Sequence, residues 1–331
     1  MRPTVPAIAP FVDSFWLYDE PLRPGMERVL PNGAMQLLVN LAADELGTYG
    51  PHRVTVVGGA ALQGAHGGPV VIDTAHQRTI AGVSFRPGGA YPFFAAPPSA
   101  TGGTLVRLDD LWGRHGAVLR DRLLTARADA RAWTLTARAS APTTRTDARR
   151  GGPTPDNAWA ATRAAPRHGG PTPDDASTQA TQAARAVLRT LEAVLVERAA
   201  RPLVPDPALA AAVSGLGRGA TVTAVTDRLG VGRRAFTSRF TDRIGLTPKR
   251  FAMVRRFQRV LDTISDPEVD DLDWATIAVE HGYYDQPHLI NDFRELAGVS
   301  PTGYRPRSAA DRNHVPISPI AAADRGEIMA S

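Results

Sequence analysis

Two short segments in the last third of the chain carry side chains that could hydrogen-bond to the edges of DNA bases. The first reads RRAFTSRFTDRI (233–244) and the second reads QPHLINDFRELA (286–297). Arginine can donate two hydrogen bonds to guanine, and Asn or Gln can pair with adenine in a similar two-bond manner. Ser and Thr can bond to bases or to phosphate. The chemistry that these residue types could perform is base recognition.

The spacing of apolar residues predicts that each segment is a helix with one buried and one outward face. In the first segment Phe236 and Phe240 lie on the buried face, and Arg234 lies on the outward face. In the second segment Leu289 and Phe293 are expected to be buried. The predicted DNA-contacting residues of the two helices and of the helix between them are Arg233, Arg234, Thr237, Ser238, Thr241, Lys249, Arg250, Gln286, His288, Asn291 and Arg294.

These residues are not expected to play the same part. Lys249 and Arg250 begin a longer predicted helix, whose N–H groups could also hold phosphate. Arg294 is expected at phosphate rather than at a base. For His288 a second interpretation stays open, as a capping or surface residue. Arg256 is expected to form a structural ion pair rather than to contact DNA.

Pro287 stands near the start of the second segment, although proline inside a helix costs about 3 kcal/mol. Asp285 is the predicted N-cap, which places Pro287 in the first turn, where a missing N–H costs no intrahelical bond. Pro287 takes the outward position that Arg234 has in the first segment. We therefore expect the second helix to recognise DNA through the polar residues around this stiff apolar side chain.

Each segment is the second half of a helix–glycine turn–helix unit. The units are AVTDRLGVGRRAFTSRF (224–240) and TIAVEHGYYDQPHLINDF (276–293), in which Gly230 matches Gly282. A long amphipathic helix predicted at 247–264 joins them. Helix–turn–helix units place their second helix in the major groove, so the pair could address two successive grooves of double-stranded DNA.

Residues of about 206–306 resemble the DNA-binding domain of AraC/XylS-type transcriptional regulators. The strongest match is the second unit followed by GVSPTGYR, and GLTPKR repeats part of that ending in the first unit. The resemblance implies a sequence-specific DNA-binding transcriptional regulator with base contacts at Arg234, Thr237, Ser238, His288 and Asn291. Stretches near the N-terminus, LPNGAMQLLVNL and SFRPGGAYPFF, resemble an uncharacterised sensor-type domain found before such DNA-binding domains.

Two positions depart from the family pattern. Gly232 stands where members usually have a Ser N-cap, at a cost of a few tenths of a kcal/mol. Thr226 stands where members usually have Ala, so its hydroxyl must find a hydrogen-bond partner at the helix crossing.

Charge is distributed unevenly over the C-terminal region. The whole chain has 38 basic and 33 acidic residues, a formal net charge of +5, and Lys249 is its only lysine. Residues 207–260 contain eleven Arg or Lys and two Asp or Glu, whereas residues 261–306 contain two and ten. The basic block is expected to supply most phosphate contacts, and the second unit to add specificity more than affinity.

The N-terminal region reads as β-rich with a helical end. Strand-like runs occur at 34–42, 53–59, 69–75 and 79–85, and helical spacing occurs at 108–126. The predicted fold class is α+β, a β-rich sensor-like domain followed by an all-α domain. The predicted boundaries are a sensor or dimerisation domain at 1–137, a disordered insert at 138–182, a helical linker at 183–205, the DNA-binding domain at 206–306 and a disordered tail at 307–331.

Aromatic and polar residues near the strand-like runs are candidates for a ligand pocket, namely Trp16, Tyr18, Met35, Gln36 and Arg86. No metal site, cofactor or catalytic residue is predicted, because His spacing, glycine motifs and nucleophile–base sets give no support. The chain has no cysteine, which suits a reducing cytoplasm. No apolar run approaches the length of a membrane span.

The sequence predicts a cytoplasmic one-component regulator that is not an enzyme, and it leaves the role of the N-terminal domain open. That domain could sense an unknown small-molecule effector or form a homodimer. As an alternative it could be a protein-interaction module with no small ligand, and a further alternative is an enzyme fused to a DNA-binding domain. RNA polymerase is a candidate partner of the regulator as a whole. No membrane partner is expected.

Overall fold

The computed structural model describes residues 1–19, 24–50, 54–75, 77–139, 173–265, 273–309 and 311–317. Two β-sheets and a pair of long helices form the N-terminal part, and shorter helices form the C-terminal part. This α+β arrangement confirms the predicted fold class. In the described ranges, no helix combines the length and the apolar character that crossing a membrane requires.

The N-terminal part contains two five-stranded antiparallel sheets. The strands are β1 (Val12–Tyr18), β2 (Met26–Val29), β3 (Gln36–Asn40), β4 (Leu46–Tyr49), β5 (Val54–Val57), β6 (Ala60–Gln63), β7 (Val70–Asp73), β8 (Ile80–Phe85), β9 (Leu105–Arg107) and β10 (His314–Ile317). The order is β1-β8-β3-β6-β9 in the first sheet and β10-β2-β7-β4-β5 in the second. The four strand-like runs of the sequence contain β3, β5, β7 and β8, so these predictions are confirmed.

The first sheet separates two apolar environments because successive side chains of a strand point to opposite faces. In β1, Phe15 is fully buried in the largest apolar cluster, together with Leu37 and Val83 of neighbouring strands. Trp16, one residue along, lies on the other face in a smaller cluster with Ile80. The two faces of the first sheet therefore have different packing partners. One face packs on helices, and the other faces the second sheet.

The helical end of the N-terminal part consists of three helices rather than one. They are α1 (Leu108–Trp112), α2 (Arg114–Ala139) and α3 (Pro173–Glu197). Gly113 ends α1 with a φ of 58°, a backbone conformation that glycine adopts without strain. The helix predicted at 108–126 is thus interrupted near its start.

The predicted helical linker at 183–205 is helical as far as residue 197, but this helix packs in the N-terminal core instead of linking two domains. Val187, Leu191 and Leu195 of α3 are buried against the same cluster as Leu119 and Leu123 of α2. An apolar stripe of this length needs a partner surface, and α2 together with β1 supplies one. This helix is part of the N-terminal core.

The predicted disordered insert at 138–182 also differs from the structure at both ends. Helix α2 continues to Ala139, and α3 begins at Pro173. The rest of that prediction lies outside the described residues. Residues 173–182, which composition alone predicted to be disordered, form the first part of this helix.

The C-terminal part is all-helical, as predicted. Its helices are α4 (Pro207–Gly217), α5 (Val222–Leu229), α6 (Arg233–Ile244), α7 (Pro248–Ile264), α8 (Trp274–Glu280) and α9 (Gln286–Ala297). Phe236, Phe240 and Phe251 belong to the apolar cluster that reaches into the N-terminal sheet. Phe257 and Phe293 belong to a separate cluster formed with α8 and α9.

The prediction of a disordered tail at 307–331 is wrong for its first residues. Strand β10 pairs with β2 along its whole length, and Val315 is buried. The Leu30 N–H donates to the Asn313 carbonyl at 2.8 Å, which fixes the approach to the strand. Pro316 is tolerated because β10 is an edge strand. Residues 318–331 of that prediction lie outside the described residues.

Gly82 of β8 should be required for the position of Trp16. A Cβ atom at Gly82 would lie 2.3 Å from a carbon of the Trp16 ring. We expect Gly82→Ala to displace the ring and to lower the free energy of unfolding by about 1–3 kcal/mol, measured by chemical denaturation. Gly58→Ala is the control, because a Cβ there meets nothing within 4 Å. Equal stabilities of the two variants would contradict this placement of Trp16.

Candidate nucleic-acid interface

The first unit consists of α5 and α6 joined by a glycine turn. Gly230 ends α5 in the left-handed region, at φ 64°, and Gly232 is the N-cap of α6 without a side-chain cap. The Thr221 hydroxyl caps α5 by accepting from the Ala224 N–H at 3.1 Å. Thr226 is buried at the helix crossing, and its hydroxyl donates to the Thr223 carbonyl at 2.8 Å. Both departures from the family pattern are therefore accommodated locally.

The outward face of α6 is available to a partner. Arg233, Arg234 and Ser238 are exposed, whereas Thr237 and Thr241 are half-buried. The Thr241 hydroxyl donates to the Thr237 carbonyl at 2.8 Å. Within the described part of the chain, the guanidinium groups of Arg233 and Arg234 form no hydrogen bond or ion pair. Two unengaged cations at the first turn of a helix are suited to bind an acceptor outside the chain.

Two other arginines of α6 are held by neighbouring residues. Arg239 donates to Asp206, the N-cap of α4, at 2.8 Å. Arg243 lies 3.7 Å from the centre of the Tyr91 ring, within the range of a cation–π contact. The basic residues of α6 thus divide into a free pair at its start and an engaged pair on its flank.

The start of α7 carries the two predicted phosphate contacts, and the structure places them differently. Thr247 caps the helix by accepting from the Arg250 N–H at 3.3 Å. Lys249 is exposed. The Arg250 guanidinium donates to the Gly67 carbonyl of the N-terminal part and forms an ion pair with Glu295. In this arrangement Lys249 is accessible, whereas Arg250 joins the two parts of the chain.

The second unit repeats this design with better caps. Asp273 caps α8 by accepting from the Ala275 N–H at 3.0 Å, and Asp285 caps α9 by accepting from the His288 N–H at 2.8 Å. The predicted N-cap at Asp285 and the first-turn position of Pro287 are confirmed. The exposed residues on the outward face of α9 are Gln286, Pro287, Asn291 and Arg294.

His288 belongs to a side-chain cluster inside the second unit. Its Nδ1 is 3.4 Å from the Tyr284 backbone N–H group, and its Nε2 is 3.8 Å from a carboxylate oxygen of Asp292. Arg256 of α7 lies 3.7 Å from the same carboxylate. Burial raises the pKa of Asp292, and the positive charge of Arg256 opposes that shift. The ion-pair prediction for Arg256 is confirmed, and the contacts of His288 favour a role in holding the start of α9.

Three of the candidate ligand residues lie together in a cavity of about 540 Å³ between the two sheets. They are Trp16, Tyr18 and Gln36. Arg86 is not among the cavity residues: it donates to the Ala9 carbonyl at 3.2 Å and lies 3.9 Å from Asp13 on the surface. Met35 is buried on the opposite face of the first sheet.

Four cavity residues that follow the DNA-binding helices were not predicted from the sequence. They are Arg307, Asp311, Asn313 and His314. The only local signal for them was the apolar alternation of HVPI (314–317), which is too short to stand out.

His66 also lines the cavity, and its Nδ1 lies 2.7 Å from the Gly68 carbonyl oxygen. Burial lowers the pKa of His66. Among the described residues, no group of three or more His, Cys, Asp or Glu is placed to hold a metal ion. His52 and His76, which together with His66 have a spacing that gave no support for a metal site, lie outside the described residues.

Two helix–turn–helix units on one connecting helix, each with a polar outward face, define a DNA-binding transcriptional regulator. Residues 225–307 match the family described as "Helix-turn-helix domain", which is of AraC type. Residues 2–107 match the family described as "Domain of unknown function (DUF6597)". The chain is therefore a DNA-binding transcriptional regulator that carries an AraC-type helix-turn-helix domain behind a domain of unknown function.

The comparison with curated proteins gives no match. Among solved structures, ToxT from Vibrio cholerae in a P21 crystal form is 7% identical, with a TM-score of 0.37 over 88% of this chain and 97% of that chain. ToxT from Vibrio cholerae O395 is 8% identical, with a TM-score of 0.38 over 88% and 96%. Unsaturated fatty acid bound wild-type ToxT from strain SCE256 is 9% identical, with a TM-score of 0.38 over 88% and 94%.

Removing the cap of α9 should destabilise the second unit. Asp285→Ala leaves the His288 N–H without its side-chain partner, and we expect the free energy of unfolding to fall by about 1 kcal/mol. Gln286→Ala, one residue along and also exposed, makes no cap and should change stability by less than about 0.5 kcal/mol. Denaturant unfolding followed by circular dichroism measures both. A larger loss for Gln286→Ala would argue against Asp285 as the cap.

Proposed function

We propose that the chain is a one-component transcriptional regulator that recognises two successive major grooves through α6 and α9, with the N-terminal domain sensing a small molecule. The observation that supports it most is that both second helices keep an exposed polar face while their apolar faces are fully packed. A helix–turn–helix unit places its second helix in the major groove, and two units joined by one helix can do so twice. Helices that only face solvent have no need of this paired arrangement.

In the first unit, Arg234 is the proposed base-reading cation, with Ser238 beside it on the outward face. Arginine discriminates guanine through two parallel hydrogen bonds, and Ser or Thr adds a single bond to a base or to phosphate. Arg233, Thr237 and Thr241 flank this pair. The absence of intramolecular partners for Arg234 within the described residues supports the assignment, because its charge is not already compensated.

In the second unit, Asn291 is the proposed reader of adenine, with Gln286 at the start of the helix as a second amide. Arg294 is the proposed phosphate contact. His288 is proposed to act through its contacts with the Tyr284 N–H and Asp292, which hold the first turn of α9, rather than through a base edge.

Affinity and specificity are proposed to come from different ends of the domain. Eleven basic residues lie in 207–260 and two in 261–306, so counterion release on phosphate binding should come mainly from the first unit and the start of α7. Lys249 is the proposed phosphate contact there. The acidic second unit then contributes specificity: it discriminates between DNA sequences, while the first unit supplies most of the affinity through phosphate contacts.

The same proposal covers the remaining partners. The protein acts by binding rather than by catalysis, in the cytoplasm where its DNA is. A homodimer would place two such pairs of helices on a repeated operator, and light scattering with and without DNA counts the copies. RNA polymerase is the protein partner to test if the bound regulator activates transcription.

Arg234→Ala should lose sequence discrimination at one position of an operator selected from random DNA. The expected cost is about 1–3 kcal/mol on that operator and little on unrelated DNA. Arg239→Ala is the matched control, because this arginine of the same helix is paired with Asp206. Fluorescence anisotropy of labelled DNA, measured from low to moderate salt, gives the affinity and its salt dependence for Arg234→Ala, Arg239→Ala and Asn291→Ala. A salt slope flattened by Asn291→Ala but not by Arg234→Ala would refute the proposed division.

Pro287→Ser should leave folding nearly unchanged, because the proline lies in the first turn and costs no hydrogen bond there. The serine adds a donor on the outward face of α9, so base preference should change within one half-site only. Selection from random DNA, sequenced for both proteins, measures this. A change in the half-site read by α6 would contradict the assignment of α9.

A further inference from the structure

The cavity between the two sheets has an apolar floor. Trp16 and Ile80 of the first sheet form it together with Leu38. The indole ring lies across Gly82, whose missing side chain makes room for it. A flat apolar surface of this kind binds rings or chains by dispersion and by removal of apolar area from water.

Polar side chains stand in one row at an edge of that floor. Ser84, Gln36 and Gln63 are direct neighbours across β8, β3 and β6, because Gln36 is in register with both other residues. Ser84 accepts from the Trp16 indole N–H at 3.1 Å, and Gln63 donates to the Gly103 carbonyl at 2.8 Å. Within the described residues, the side-chain amide of Gln36 forms no hydrogen bond. This amide can therefore both donate to and accept from a bound molecule.

The charged groups at the cavity wall are paired with one another. Arg307 lies 3.1 Å from Glu27 and 3.4 Å from Asp311, and His314 lies 3.2 Å from Glu27. Glu27 is itself buried, so taking Arg307 away from it would leave an uncompensated buried charge. An anionic ligand would have to compete with two carboxylates for one guanidinium. A cationic ligand would have to displace Arg307 from these carboxylates, which would leave its guanidinium without a partner.

We propose that this cavity binds an uncharged amphipathic small molecule, with its apolar body on Trp16 and Leu38 and its hydrogen-bonding end at the Ser84–Gln36–Gln63 row, and that the bound molecule holds residues 307–309 and 311–314 in place. The proposal rests on the sensing role given above to the N-terminal domain. It adds the chemistry of the ligand and the segment through which binding reaches the DNA-binding helices.

The residues that follow the second unit, 307–309 and 311–314, connect it to the cavity. One wall of the cavity is formed by the side chains of Arg307, Asp311, Asn313 and His314. This segment follows Tyr304, which is buried with its ring centre 5.8 Å from that of Phe293 in α9. The Tyr304 hydroxyl donates to the Arg312 carbonyl at 2.6 Å. A ligand that contacts this wall binds the docked segment more tightly than the undocked one, so its binding shifts the equilibrium towards the docked state.

Two probes that differ by one charge test the ligand class on the full chain. N-phenyl-1-naphthylamine is uncharged, and 8-anilino-1-naphthalenesulfonate is its sulfonated analogue. We expect saturable fluorescence enhancement with one molecule of the uncharged probe per chain and at least tenfold weaker binding of the sulfonate. Equal or tighter binding of the sulfonate, or no binding of the uncharged probe, overturns the proposal.

Cavity-filling variants locate the probe. Leu38→Trp fills the cavity from the first sheet and Thr48→Trp fills it from the second, so each should weaken binding at least tenfold. Val54→Trp on an exposed position of β5 is the matched control and should bind as the parent does. Of Leu38→Trp and Thr48→Trp, the one whose unfolding midpoint equals that of the parent is used for the comparison, because its fold is intact. Unchanged binding by that variant places the probe elsewhere and overturns the site.

Hydrogen exchange tests the link to the second unit. With saturating N-phenyl-1-naphthylamine, amides of 307–317 should exchange at least threefold more slowly, whereas amides of α4, remote from the cavity, should not change. Probe binding without slower exchange in 307–317 overturns the coupling. Selection of an operator without probe tests the proposed function separately, because DNA binding can fail while probe binding persists.

Discussion

The hydrogen bonds between β10 and β2 attach the segment that follows the DNA-binding helices to the second sheet of the N-terminal part. Val315 of β10 and Leu30, which follows β2, lie in the same apolar cluster as Phe257 and Phe293. Gln258 of α7 donates to the Pro31 carbonyl and to the Asn313 side chain, at 2.8 and 2.9 Å. The core of the second unit is therefore completed by residues from both ends of the sequence. Without this strand pair, neither that core nor the wall of the cavity would be closed.

The first unit is attached to the N-terminal part by a different contact. Phe251 of α7 packs on Gly33, where a Cβ would lie 3.0 Å from its ring and where φ is 79°. The Ser99 hydroxyl donates to Asp242 at 2.9 Å, and Arg243 lies on the Tyr91 ring. Both units therefore contact the N-terminal part through close-packed groups.

The sequence allowed the C-terminal helices to be predicted well because their signals are local. A glycine turn, a capping residue and an apolar stripe fall within a few residues of each helix, as at Gly230 and Asp285. The short strands of the N-terminal part depend on distant partners. Strand β10 pairs with residues almost three hundred positions away, and no window of the sequence contains that information.

In the candidate sites too, features set by local sequence were predicted, whereas features set by distant contacts were not. The outward faces of α6 and α9 followed from helical spacing. Trp16, Tyr18 and Gln36 were predicted as pocket candidates because they are aromatic or polar residues near strand-like runs, and all three line the cavity. Arg86 was grouped with them wrongly, since it follows the last residue of β8 and turns to the surface. The engagement of Arg250 with Gly67 could not be foreseen, because it depends on how two separately folded regions pack.

The solitary lysine has a consequence for chemistry on this protein. Lys249 is exposed at the start of α7, and the other 37 basic residues counted with it are arginines. Amine-reactive reagents that modify ε-amino groups therefore have one side-chain target in the sequence, and that target lies where DNA is proposed to pass. A fluorophore or photo-crosslinker attached there would report on the arrival of DNA without any engineered residue, while the arginines that recognise bases would stay chemically intact.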